Sequence, residues 1–335
     1  MIFSKLLKVE KPGIDDDFFE LGGNSLLTIR LCNEVHAAFH SHLRVADVFR
    51  FPNIEGLSNL LQEDEIDRNF SMSFQSSGDG NPIFCMPGLW RNSLVFKKLA
   101  EHLNVDRPIV GLELPMPVDG VEPLKTNIEF ANHLIREIKK IQPTGPYTLC
   151  GYSLGGFLAY ETARQLHLRG DSIEHTFVID TFFLHPPPNF QFSDSRLKWI
   201  MKMVKKNGWD YLKYFFRSLV TLHLLRRLGF LQGENHDWIR EEDKFTEGTP
   251  RLDCPELDYD PESKPIELNL HLFVSRENNY TRLGHDLVNR WNTLTTDPIT
   301  VSMIPCDYHL RIMDDEHLAL IASEMRGSLS KNNNA

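Results

Sequence analysis

From Asn81 onward, short apolar runs of strand type alternate with amphipathic helical segments, and that rhythm admits few architectures. PIFCMPG, PIVGLEL, PYTLCGYS, HTFVID, IELNLHLFVS and ITVSMI read as strands, with LVFKKLAEHL, NIEFANHLIREIKKI and GFLAYETARQLHLRG as helices between them. Parallel neighbours need a crossover, and a helix is the usual one, so the alternation predicts a mostly parallel sheet covered by helices on both faces. No internal repeat accompanies it.

Two stretches depart from this rhythm. Residues 1–66 read as a small helical unit, in which SLLTIRLCNEVHAAF places Leu26, Ile29, Val35 and Phe39 on one stripe. This unit holds six cations against eleven anions, net −5. Residues 67–80, DRNFSMSFQSSGDG, are polar and read as a linker to a larger unit over 81–330. PPPNF at 186–190 opens an insertion of about 186–250 between two strands, which reads as a helical lid or binding element. Its segment 196–227 carries nine cations against one anion, net +8.

Composition narrows the classes. The 335 residues carry 36 Lys and Arg against 46 Asp and Glu, net −10, which argues against a nucleic-acid partner, since that needs clustered cations. Cys32, Cys85, Cys150, Cys254 and Cys306 are odd in number and lack CxxC spacing, so neither a disulfide framework nor a thiolate metal site is expected, and a reducing, cytoplasmic setting fits. Lys5 and Lys8 break the apolar start MIFSKLLKVEK, so no signal peptide is expected. Pro and Gly interrupt the uncharged run from Ile141 to Tyr160, so no membrane span is expected there.

Gly151-Tyr152-Ser153-Leu154-Gly155 is a G-x-S-x-G segment between the strand YTLC and the helix FLAYETARQL. A sharp strand-to-helix turn exposes a serine hydroxyl, and the helix start then offers the Leu154 N–H to a developing oxyanion. Such a serine needs a base, and the base needs an orienting acid. In the α/β-hydrolase order both follow the serine. Asp180 ends the strand HTFVID, and Glu277 follows the strand LNLHLFVS, so either could be the acid. His309 comes after the last apolar run and before a terminal helix, which singles it out over His285 and His317 as the base. A second oxyanion donor is expected at Leu89, in the loop Pro87-Gly88-Leu89-Trp90.

The segment Asp17-Phe18-Phe19-Glu20-Leu21-Gly22-Gly23-Asn24-Ser25-Leu26 is a loop running into a helix. Asn24 or Ser25 could simply cap that helix. The other reading is that Ser25 bears a phosphodiester-linked arm facing the free N–H groups and positive end of the helix. D-D-F-F-E-L-G-G-N-S-L resembles the phosphopantetheine attachment motif of peptidyl carrier domains in nonribosomal peptide synthetases. From Asn81 to about residue 327 the chain resembles the type I thioesterase that ends such assembly lines, with GYSLGG, VIDT and a late D-Y-H-x-x-x-M.

The resemblance implies a small all-α, four-helix carrier domain and an α/β-hydrolase domain with a helical lid insertion. It implies 4′-phosphopantetheine on Ser25, acylation of Ser153, His309 as base, and Asp180 rather than Glu277 as its partner. It also implies upstream condensation and adenylation modules, a phosphopantetheinyl transferase, a peptidyl or acyl thioester substrate, and no membrane partner. Two features depart from the pattern. The first carrier helix is short at Met1, as expected of a piece of a longer synthetase, and the oxyanion loop reads MPGLWRNS rather than His-Pro-x-Gly-Gly. A polyketide-type or hybrid carrier–thioesterase is the alternative, but its motif usually has Asp before the serine and one Gly fewer. An inactive docking module and a plain lipase or esterase are the others, and the last leaves residues 1–66 unexplained. The opposite charges of carrier and lid predict that the lid receives the carrier.

Overall fold

The computed structural model describes residues 1–39, 43–62, 70–88, 91–115, 124, 126–181, 265–275, 282–306 and 309–331. The expected lid, Leu89 and Glu277 lie outside the described residues.

Four helices come first: α1 (Ile2–Leu7), α2 (Ser25–Phe39), α3 (Val45–Arg50) and α4 (Ile54–Leu60). They close over Phe3, Phe18, Leu31, Val35, Leu43, Val48, Leu57 and Leu60. The stripe of α2 therefore differs from the expected one. Leu31 and Val35 are buried, whereas Phe39 is 61% exposed at the helix end, and Ile29 packs into a separate cluster with Met72. Four residues make slightly more than one turn, so Leu31 and Val35 share a face that Phe39 has begun to leave. Asn53 caps α4 by accepting from Gly56 N–H at 2.8 Å.

The remaining described elements are β1 (Ser71–Gln75), β2 (Ile83–Cys85), α5 (Phe96–Leu103), β3 (Ile109–Leu112), α6 (Asn127–Ile141), β4 (Tyr147–Tyr152), α7 (Leu154–Leu168), β5 (Ile173–Ile179), β6 (Leu270–Ser275), α8 (Arg282–Asn292), β7 (Thr300–Ile304), a 3₁₀ turn (His309–Met313) and α9 (Asp315–Lys331). The strands form one seven-stranded sheet in the order β1-β3-β2-β4-β5-β6-β7. All neighbours are parallel except β1, which runs antiparallel to β3. Residues 71–75, expected as linker, are thus an edge strand. Their Met72 is buried while Ser73 is exposed, a one-sided pattern that polar composition had hidden.

The period of two in the central strands divides the core. Phe84, Leu149, Val178, Leu272 and Val274 face α6, α7 and α8 on one side of the sheet. Ile83, Cys85, Cys150, Phe177, Ile179 and Phe273 face α5 and α9 on the other. Trp291 of α8 is wholly buried, stacked on Phe157 and edge-on to Tyr160. Thr126 and Glu129 form a capping box at the start of α6, a device worth about 1 kcal/mol. Among the described residues no helix is long and apolar enough to cross a membrane.

Candidate active site

The site sits at the carboxyl end of β4, where strand turns directly into α7. Ser153 has φ 54° and ψ −124°, a conformation that non-glycine residues adopt at a cost of about 1–3 kcal/mol. Surrounding bonds hold it there. Ser153 N–H donates to Ile179 O at 2.9 Å, and its carbonyl accepts from Gly156 N–H at 3.1 Å and from the Thr181 hydroxyl at 2.7 Å. A Cβ at Gly151 would run into the Gly155 carbonyl, so a glycine at the first position of the motif is sterically required.

Asp180 follows β5 with φ 45° and is 1% exposed. Its N–H donates to Phe273 O at 2.7 Å, and its Oδ1 accepts from Ser275 N–H at 2.9 Å. Both bonds tie it to β6, the next strand. Its Oδ2 lies 2.7 Å from Nδ1 of His309, in the 3₁₀ turn after β7. The other ring nitrogen, Nε2, lies 3.0 Å from Ser153 Oγ. A carboxylate, an imidazole and a hydroxyl are therefore joined in one hydrogen-bonded chain drawn from three strand ends. Such a chain can hold the imidazole with its proton on Nδ1, leaving Nε2 to accept the serine proton.

Leu154 is the first residue of α7, and its N–H belongs to the helix-start donors that have no acceptor within the helix. His317 sits on α9 with Nε2 3.3 Å from Glu316 and takes no place in the chain. The side chain of His285, like the whole of Leu89 and Glu277, is outside the described residues.

One residue of the site escaped the sequence reading. The Tyr152 ring stacks on the His309 imidazole, with centroids 5.0 Å apart and planes 22° from parallel. Its hydroxyl donates to the His309 carbonyl at 3.0 Å. Tyr152 occupies the variable position of G-x-S-x-G, so its nearness to Ser153 was legible. Its contact with a turn far down the chain was not.

At the carrier end, Asn24 provides the cap of α2, its Oδ1 accepting from Leu27 N–H at 3.0 Å. Capping therefore does not require a serine at the next position. The loop before it is tightly built. Phe18 is wholly buried, Asp17 Oδ1 accepts from Phe19 N–H at 2.7 Å, and a Cβ at Gly23 would overlap the Phe18 ring. Asn24 and Gly22 are exposed on either side of that turn. An exposed, fixed loop ahead of a 15-residue helix suits a phosphodiester on Ser25, the first residue of α2.

Residues 81–329 match the family model described as Thioesterase domain, and residues 1–61 match that described as Phosphopantetheine attachment site. The chain is 36% identical over 222 residues to indigoidine synthase of Dickeya dadantii (strain 3937), covering 65% of this chain and 14% of that one. It is 34% identical over 180 residues to indigoidine synthase of Streptomyces lavendulae, covering 53% of this chain and 14% of that one. A solved four-domain nonribosomal peptide synthetase bound to AMP and glycine superposes with a TM-score of 0.50 at 25% identity, covering 97% of this chain and 25% of that one. The chain spans about a seventh of the length of both indigoidine synthases, at 14% of each.

Proposed function

We propose a function from one premise: the chain belongs to the thioesterase-domain family and carries a phosphopantetheine-attachment unit at its amino-terminal end. On our reading it is the terminal carrier–thioesterase part of a nonribosomal peptide synthetase, releasing a thioester-bound peptide. The observation that carries this reading is the chain Asp180–His309–Ser153, with contacts of 2.7 and 3.0 Å.

The geometry supports the following roles. Ser153 Oγ attacks the thioester carbonyl while its proton passes to His309 Nε2. The buried Asp180 carboxylate orients the imidazole and stabilises its charged form. The Leu154 N–H donates to the tetrahedral oxyanion, and we assign the second donor to Leu89. When the C–S bond breaks, His309 returns the proton to the departing sulfur and leaves an acyl ester on Ser153. Water, or a hydroxyl or amine within the acyl chain, then attacks that ester as His309 takes its proton. The products are a free acid or a ring, and the serine is regenerated.

Phosphopantetheine supplies a thiol on a flexible arm, where the acyl chain is held as a thioester. Ser25 would bear it, with the positive end of α2 facing the phosphodiester. A phosphopantetheinyl transferase would install it, upstream condensation and adenylation modules would load it, and the setting would be cytoplasmic. Incubation with such a transferase and coenzyme A is expected to add one phosphopantetheine mass, and Ser25→Ala to block the addition. With acyl-pantetheine loaded, the intact mass of the released product distinguishes hydrolysis from ring closure. Mass gain by the Ala variant would move the attachment site elsewhere, and a loaded chain that never releases product would overturn the release reading.

Tyr152 has a positioning part in this reading. Tyr152→Phe keeps the stacked ring and removes the bond to the His309 carbonyl, a loss of about 1 kcal/mol or three- to tenfold in kcat. Tyr152→Leu also removes the aromatic face beside the imidazolium. kcat should then fall further than in the Phe variant with KM little changed, because the ring that holds the imidazole in place is gone. An unchanged kcat in the Leu variant would reduce Tyr152 to packing.

A further inference from the structure

Glu113, just after β3, is a buried carboxylate that the acyl-transfer site does not use. It is 2% exposed. Its Oε1 accepts from the N–H of Ala46 in α3 at 3.2 Å, and its Oε2 is buried without a hydrogen-bond partner. This bond crosses from the carrier helices to the sheet. Around it, Val45 and Ala46 of α3 pack with Met72 of β1, and Ile29, Cys32, Phe49, Phe74 and Leu94 border the cluster. Lys97 of α5 lies over the Phe49 ring at 5.3 Å. The carrier thus touches the sheet's edge strand through an apolar patch, with the Glu113 carboxyl buried beside it.

A carboxylate buried at such a contact with half its acceptor capacity unmet is costly when charged and cheap when protonated. We propose that Glu113 is a proton-operated latch: its neutral form holds α3 against the edge of the sheet, and its charged form releases the carrier helices. The purpose of the latch rests on the carrier reading above, because a carrier must leave the thioesterase to be reloaded. The contact itself does not depend on that reading.

The electrostatics agree. Burial pushes the Glu113 carboxyl up to about 7, with Arg44 opposing and Asp47 adding to the shift. The charged and titratable groups facing it can be named element by element. From the start of α3 come Arg44 and Asp47, joined to each other by a buried ion pair at 2.7 Å. From α2 comes Cys32, whose thiol burial pushes well above its usual range. From α6 come Glu137, which accepts from Phe70 N–H at 3.3 Å, and His133, which burial lowers to about 4. From the loop after β2 comes Arg91, whose carbonyl accepts from Leu114 N–H at 2.8 Å while its guanidinium donates to Pro115 O. His133 and Cys32 titrate outside the interval from pH 6 to 8.

The sign follows from linkage. A carboxyl with a higher pKa when docked than when solvated means that the docked form binds more protons. Docking is strongest below the ordinary carboxylate range. It weakens as pH rises towards 7 and changes little above that. Between pH 6 and 8 a group at about 7 in the docked form loses about a factor of ten in the docked-to-released ratio.

Amide exchange of the full chain reads this directly, because Ala46 N–H is itself the latch donor. After correction for the intrinsic pH dependence of exchange, protection of Ala46 and of β1 is expected to fall about tenfold from pH 6 to 8, that ratio restated. Glu113→Gln keeps the acceptor and cannot ionise. Its protection should not vary with pH and should exceed, at pH 6 and at pH 8 alike, that of the unaltered chain, whose released form is already ionised at pH 6. Protection of Leu149 in the central strand β4 should be the same in both proteins and serves as the measure of folding. The proposal is overturned if Ala46 protection is independent of pH in the unaltered chain, or if it falls equally in the Gln variant. Failure of Ser25 or Ser153 to act as assigned would leave this readout unaffected, so the two readings fail separately.

Discussion

Ser153→Ala is expected to slow acyl release by about 10⁴–10⁶-fold and to leave the acyl chain on the carrier. Alanine can occupy the same strained backbone, so the turn should persist. What disappears is the Oγ that lies 3.0 Å from His309 Nε2. The folding cost should be limited to one partly exposed hydrogen bond, about 1 kcal/mol. A fluorophosphonate probe separates catalysis from folding. It should label the unaltered chain on Ser153 and leave the variant unlabelled, with matching melting curves. Near-normal release by the Ala variant, or labelling at another serine in the unaltered chain, would remove Ser153 from the mechanism. An inactive α/β-hydrolase fold serving only as a docking module would show no labelling at all.

What the sequence made legible was local. Alternating apolar runs revealed the parallel strands because burial on both faces makes each strand nearly continuous in hydrophobic residues. The thioesterase part was legible twice over, in that rhythm and in G-x-S-x-G with its helix. Residues 71–75 were not, since an edge strand exposes alternate residues and Ser71, Ser73 and Gln75 carry the composition of a linker. Asp180 and Glu277 could not be separated on pattern alone, because both follow apolar strands. The register of β5 on β6 brings the Ser275 N–H to Asp180 Oδ1, a contact between strands that no single run of sequence shows. Glu113 was illegible for a related reason. Glu113 lies within the run PIVGLEL, and nothing in that run marks its glutamate as one that the carrier helices cover. Tyr152 was visible as the neighbour of a nucleophile, and its hold on the histidine turn needed the closed sheet.

Asp180→Asn is expected to reduce kcat by about 10⁴-fold, because the amide sets the wrong imidazole tautomer. Asp180 holds φ 45°, and asparagine is among the few residues that tolerate that left-handed region. Its amide oxygen can still accept from Ser275 N–H, so the turn between β5 and β6 should survive. The amide NH₂ would then face His309 Nδ1 and donate to it. The ring proton would be forced onto Nε2, the nitrogen that must accept from Ser153. Geometry would be retained and proton transfer blocked. Glu277→Gln should change kcat by no more than the few-fold expected of a carboxylate outside the chain of proton transfer. Steady-state kinetics on one soluble acyl thioester compares the two variants directly, with circular dichroism to show that both are folded. A severe loss in Glu277→Gln beside a mild one in Asp180→Asn would transfer the orienting role to Glu277. Equal and severe losses would mean that His309 depends on both carboxylates.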